Sequence, residues 1–159
     1  MSWTFRQGMA CGGCRDPRPL YRASTPWVQA LVVQVRPAQL EDPTPCEGFN
    51  VRALLRHLVA TAHRGRATGL RQHTDAVPHV ITDLADDAYA AEYAAAADAA
   101  YRAWLVAGRL EELAHAPWGD VSGRSAVWGS VNETIAHGRD LAVATGQPNG
   151  WRTGTGIDS

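Results

Sequence analysis

From Asn50 onward the chain carries Val51, Leu54, Leu55, Leu58, Val59 and Ala62, an apolar residue every three to four positions. Such spacing puts all six side chains on one stripe of a helix, and the stripe must be buried against something. Asn50 is suited to cap this helix, whereas Gly65 and Gly69 weaken its far end. No segment alternates apolar and polar residues for long enough to promise a strand. The stripe therefore has to be covered by other helices.

Three further segments offer themselves. Ser24-Thr25-Pro26 reads as a cap with proline in the first helical turn, followed by Trp27, Val28, Leu31, Val32 and Val35 until Pro37 forbids continuation. After a proline-rich connection from Pro37 to Asn50, the Asn50 helix and a long aperiodic link from Arg71 to Asp83, Asp86 and Asp87 are placed to cap a third helix. It runs through Gly108 with Tyr93, Ala97, Ala100, Tyr101, Trp104 and Leu105 as its buried stripe. Pro117, Gly119 and Gly123 then mark a loop. The fourth helix spans Ser125 to Thr145, with Val127, Trp128, Val131, Ile135 and Ala142 on one side and Gly146 and Pro148 at its end. The expected fold is all-α, a four-helix bundle over residues 20–148 between a flexible leader, 1–19, and a flexible tail, 149–159.

Composition narrows the function. At 159 residues, with 45% apolar and 19% charged residues, the chain has the makeup of one globular domain. Fifteen basic against sixteen acidic residues leave a formal charge of -1, which provides no footprint for nucleic acid or an anionic membrane. Every basic residue is Arg, so mechanisms that need a Schiff-base or phosphate-loop lysine are excluded. No apolar run approaches the roughly 20 residues of a membrane span, and Met1 to Leu20 lacks the apolar core of a signal peptide. The expectation is a soluble, cytoplasmic protein. Cys11 and Cys14 form a C-x-x-C without a second pair, and read as part of an unstructured extension.

Chemistry concentrates on the fourth helix. Glu133, His137 and Asp140 stand at i, i+4 and i+7, and so share a face. A carboxylate and an imidazole presented together are what one helix can offer a divalent metal. A further ligand must come from elsewhere, and His57, at the edge of the second helix's apolar stripe, is the candidate. The same periodicity also allows a plainer outcome, since Glu133 and His137 lie roughly opposite the Trp128, Val131 and Ile135 stripe and would then face water. His63, His73, His79 and His115 read as surface residues. Cys46 is either a reactive thiol or a packed anchor of its loop, and Trp118 and Trp128 either wall a pocket or belong to the core.

Two motifs occur in order. The first is Thr44-Pro45-Cys46-Glu47-Gly48-Phe49-Asn50-Val51-Arg52-Ala53-Leu54-Leu55-Arg56-His57-Leu58. The second is Pro117-Trp118-Gly119 followed by Glu133-x-x-x-His137-Gly138-Arg139-Asp140-Leu141-Ala142-x-Ala144-Thr145-Gly146-Gln147-Pro148. Together they resemble the metal-binding domain of mycothiol-dependent maleylpyruvate isomerase and its relatives, within the wider DinB-like bundles. The resemblance covers about Ala23 to Pro148 and implies an up-down-down-up topology with Arg71 to Asp83 as the crossover. It also implies a divalent metal, zinc or nickel, held by His57, Glu133 and His137, with one coordination position left open. That position suits a low-molecular-weight thiol such as mycothiol, whose pKa the metal would lower for a transferase or isomerase reaction. Asp140 would be either an orienting carboxylate or a solvated acid. The family usually carries an aromatic where this chain has Arg139, and the chain is expected to be a single-domain member ending at Ser159. The alternative is a non-catalytic metal-binding or dimerising helical module, and a homodimer is compatible with either.

Overall fold

A computed structural model describes residues 16–151. It contains four helices, α1 (Arg18–Val33), α2 (Val51–Gly69), α3 (Tyr89–Ala103) and α4 (Gly123–Thr145), with a hairpin of strands β1 (Leu113–Ala116) and β2 (Gly119–Ser122) between the last two. Both α1 and α2 pack against α3 and α4. One apolar cluster gathers Val28, Leu31, Leu54, Leu58, Tyr93 and Leu141, and a second, towards the hairpin, gathers Tyr21, Trp104, Leu110, Val127 and Val131. The all-α expectation holds broadly, with the small sheet as an addition.

The α2 stripe is buried as its spacing requires: Val51, Leu54, Leu55, Leu58 and Val59 are at most 2% exposed. Asn50 caps the helix, its Oδ1 accepting the Ala53 N–H at 2.9 Å. This satisfies one of the unpaired donors of the first turn.

Helix boundaries differ from expectation where side chains found other partners. The first helix does not start at Ser24 but at Arg18, whose N–H donates to Asp16 Oδ1 at 2.9 Å. Pro26 then lies inside α1. Proline there removes the N–H that would serve the Arg22 carbonyl, but both residues are exposed, so water can take the vacated bond. Ser24, fully buried, donates its hydroxyl to the Tyr21 carbonyl at 2.9 Å instead of capping. Asp86 and Asp87 do not cap α3, whose N-cap is Ala88. Asp86 is engaged elsewhere: Arg52 donates to both its oxygens at 3.0 Å, and the Tyr89 hydroxyl donates at 2.6 Å. These bonds tie the end of the long connection to the first turn of α2. Nor does α3 reach Gly108. It stops at Ala103, Trp104 is wholly buried, and Leu105, expected in the stripe, is half exposed.

The segment marked as a loop around Pro117 is an antiparallel hairpin pairing Leu113 with Ser122 and Ala116 with Gly119. Four-residue strands are too short for alternation to register. The hairpin docks on α4 through Gly123, whose N–H donates to the Glu112 carbonyl at 2.9 Å, while Arg124 N–H donates to the Leu110 carbonyl at 2.8 Å. A Cβ at Gly123 would stand 2.0 Å from the Arg109 carbonyl oxygen, so only glycine permits this approach. Ser122 caps α4, accepting the Ser125 N–H on its hydroxyl at 3.2 Å. The buried side of α4 runs through Val127, Val131, Thr134, Gly138 and Leu141. Trp128, expected in that stripe, is 42% exposed, and Ile135 is only partly buried. No helix among the described residues is long and apolar enough to cross a membrane.

Candidate metal centre

Helix α2 directs a face made of His57, Thr61, Arg64 and Gly65 at α4, which answers with Ala126, Ser130, Glu133 and His137. Each set follows the three-to-four-residue spacing of one helical side. Between them lies a cavity of about 560 Å³, walled elsewhere by Phe49, His79 and Trp118. Trp118 is 51% exposed and lies over Gly129, where a Cβ would come within 2.2 Å of its ring. It walls the cavity; Trp128 does not line it.

His57, Glu133 and His137 come together at this cavity, each offering one ligand atom within 4.8 Å of the others. His57 Nε2 is 3.1 Å from His137 Nε2, and His137 Nε2 is 3.3 Å from Glu133 Oε2. Tetrahedral bonds of about 2.0–2.2 Å place neighbouring ligand atoms about 3.3–3.6 Å apart, close to these separations. The plainer outcome allowed by periodicity, with Glu133 and His137 facing only water, is not what the structure shows, although Glu133 keeps 44% of its side-chain exposure. Helix α4 lies between α1 and α2, so its cavity side is distinct from its apolar side.

His57 is only 3% exposed. Its Nδ1–H donates to the His79 carbonyl at 2.8 Å, which leaves the lone pair on Nε2, aimed at His137. Burial, as the largest effect, lowers its pKa from 6.5 to about 4; the bond to the His79 carbonyl pulls the other way, and the charges of the His137 and His79 rings add to the lowering. The imidazole is neutral near pH 7, the form a metal requires. The hydrogen bond and charge of His137, outweighing burial, hold the Glu133 carboxyl below its usual range, so it is an anion.

His137 itself supplies a test of fit. Its Nδ1 is buried without a hydrogen-bond partner, with Asp140 Oδ2 still 3.7 Å away. A buried polar nitrogen left so is costly. Ligation through Nε2 would set the proton on Nδ1, on the side of the Asp140 carboxylate; the donor set fits a divalent cation. Asp140 is thus beside the imidazole rather than simply in solvent. Cys46, the free cysteine of the described residues, also lines the cavity and forms an overlapping group with His137 and Asp140. Burial first, and the charges of Asp140 and Glu133 next, push its thiol pKa up, so it is the weaker donor.

His79 was not legible as part of this site. It sits in an aperiodic connection, yet its ring lies 4.4 Å from that of His57 and 5.9 Å from that of Phe49. Its role rests on a backbone carbonyl, which no sequence pattern signals. His73 and His115 stack on each other at 4.5 Å, outside the cavity lining, and His115 also bonds Asp120 at 2.7 Å. Arg139 is exposed and does not line the cavity. Cys11 and Cys14 lie outside the described residues.

Four helices, a small hairpin and a two-histidine, one-carboxylate cluster between helices α2 and α4 define a DinB-like domain with potential metal ligands. The sequence matches the model of the mycothiol maleylpyruvate isomerase N-terminal domain over residues 21–142, and the chain belongs to that family. An uncharacterized protein of Mycobacterium tuberculosis, found in two strains, is 29% identical over 133 residues, covering 83% of this chain and 69% of the relative. Among solved structures, mycothiol-dependent maleylpyruvate isomerase superposes with a TM-score of 0.61, and a histidine-to-alanine mutant of it with 0.65, each at 16% identity over 79% of this chain. The likeness concerns the fold. The chain spans 59% of the length of those solved chains.

Proposed function

We propose that this domain binds one divalent transition metal, zinc or alternatively nickel, through His57, Glu133 and His137, and uses it to activate a low-molecular-weight thiol of the mycothiol type for transfer or isomerisation. The observation that carries the reading is the convergence of two ring nitrogens and a carboxylate oxygen on the wall of a cavity large enough for small reactants. Three protein ligands leave a coordination position open, the arrangement of catalytic rather than structural zinc. When bound, the metal supplies a Lewis acid that lowers the pKa of a coordinated thiol.

The chain's own residues would do the rest. The His79 carbonyl fixes the tautomer and tilt of His57. Asp140, whose Oδ2 lies 3.7 Å from His137 Nδ1, would draw the proton to that nitrogen by its charge and so favour a free lone pair on Nε2. Phe49, Pro117 and Trp118 give the cavity apolar walls. Membership of a mycothiol-dependent isomerase family supports the thiol as partner.

Elemental mass spectrometry of the purified protein tests the first half of the reading. About one transition metal per chain is expected, and His57→Ala should strip it; a wild-type chain that takes up no metal overturns the assignment. A panel of small electrophiles, assayed with and without mycothiol, tests the second half. Thiol-dependent consumption supports catalysis, and a metal-loaded protein inert throughout would be a binding module instead.

A further inference from the structure

Behind the ligand cluster lies a second, much smaller void, to which all four helices contribute. Its volume is about 10 Å³, and its lining includes five residues that carry a hydroxyl: Tyr21 from α1, Thr61 from α2, Tyr93 from α3, and Ser130 and Thr134 from α4. Thr61 and Ser130 line the large cavity as well, and Thr61 Oγ1 lies 3.5 Å from His57 Nε2. The two spaces therefore share a wall.

These hydroxyls do not satisfy one another. Tyr21 and Tyr93 are 2% and 3% exposed, and among the described residues neither phenol has a hydrogen-bond partner. Burial pushes the pKa of both upward, so each keeps its proton and is a buried donor in want of an acceptor. Ser130 and Thr134 are in the reverse position. Their hydroxyls already donate along their own helix, to the Ala126 carbonyl at 3.1 Å and the Ser130 carbonyl at 2.7 Å, and have only lone pairs left to offer. The Tyr21 oxygen reaches across to this side: it is 3.4 Å from where a Cβ on Gly65 would stand, and Ser130 Oγ is 3.8 Å from the same point.

We propose that one water molecule occupies this void, accepting from the Tyr21 and Tyr93 hydroxyls and donating to Ser130 and Thr134, and that through it the two tyrosines keep Glu133 and His137 turned towards His57. The second half rests on the reading of that cluster as a metal centre. A void of about 10 Å³ has room for one water and nothing larger. Water brings two lone pairs and two hydrogens, the complement of two unpaired donors and two acceptors. Without it the phenols would be left with a desolvation cost that α4 could relieve only by moving. Ser130 and Thr134 stand three residues before and one residue after Glu133, and Thr134 three before His137, so such a movement would carry both ligands with it. Tyr21 and Tyr93 are then positioning residues, since neither lines the large cavity.

A high-resolution crystal structure of the wild-type protein tests the water: ordered density is expected about 2.6–3.2 Å from both phenol oxygens. Density absent there, or phenols bonded directly to Ser130 and Thr134, overturns the proposal. Chelator-competition titration with zinc tests the positioning. The double variant Tyr21→Phe/Tyr93→Phe should bind zinc about tenfold more weakly, the scale on which supports behind metal ligands act, and Tyr93→Phe alone serves should the double variant melt too low. Gly123→Ala, which strains the hairpin contact and leaves the hydroxyls in place, should keep wild-type affinity. Undiminished zinc binding in the tyrosine variants, or an equal loss in Gly123→Ala, overturns the positioning role. The two readings fail separately. A wild type that shows the water but takes up no zinc sinks the metal assignment, and a zinc-loaded wild type without the water sinks this proposal alone.

Discussion

Replacing Gly123 by alanine probes how the hairpin is attached. The added Cβ would meet the Arg109 carbonyl oxygen at 2.0 Å and the Arg109 carbonyl carbon and Leu110 Cα at 3.0 Å. Ordinary contact needs about 3.5 Å, so one backbone must retreat by more than an ångström. Neither neighbour is a side-chain tip that can turn aside. Overpacking of this kind costs about 1–3 kcal/mol. The retreat also strains two hydrogen bonds, Gly123 N–H to the Glu112 carbonyl and Arg124 N–H to the Leu110 carbonyl, each worth about 1 kcal/mol. Alanine returns less than about 1 kcal/mol through helix propensity at the first turn of α4. The expected net loss is about 3 kcal/mol, a fall in Tm of roughly 6–12 °C for a chain of this length. Thermal denaturation followed by circular dichroism measures it, and zinc uptake should persist because the three ligands lie at least ten residues further along α4 or on α2. A variant that melts within 2 °C of wild type would refute the claim that this contact fixes the hairpin.

Other perturbations read other links. Saturating zinc at about a hundredfold over Kd should stabilise the fold by about 2.7 kcal/mol, an increase in Tm that EDTA reverses and His57→Ala abolishes in a thermal-shift assay. Asn50→Ala removes the cap that accepts from Ala53 and should cost about 1 kcal/mol in a urea titration. Hydrogen bonds from Arg52 and Tyr89 lower the Asp86 pKa from its ordinary 3.8 to about 2. Folded Asp86 thus binds its proton less readily than the unfolded chain does, so its contribution is complete above about pH 4 and is lost as pH falls through about 2. Asp86→Asn should accordingly melt below wild type at pH 6 and together with it near pH 2, as melts across a buffer series would reveal.

The α2 helix was legible because three signals agreed: the stripe from Val51 to Ala62, the Asn50 cap and glycines near its end. Where signals conflicted, local rules lost to tertiary partners. Ser24-Thr25-Pro26 resembles a helix start, but Ser24 is buried and bonded to the preceding turn, so the helix begins earlier. Asp86 resembles a cap, but Arg52, remote in sequence, takes its carboxylate. The hairpin leaves no signal in the sequence because its strands are four residues long and owe their place to backbone bonds with Leu110 and Glu112. In the site, the i, i+4 pair of Glu133 and His137 was visible from spacing. The part played by His79 was not, since a main-chain carbonyl carries no identity in the sequence.

Because the oxygen that steadies His57 belongs to the main chain, evolution can exchange the side chain at position 79 without disturbing the tautomer. What it cannot do is reroute the crossover that carries this carbonyl past α2. An insertion or deletion between the end of α2 and the start of α3 would shift the acceptor and free the imidazole to rotate, so a centre with none of its ligands in that segment would nonetheless be sensitive to its length.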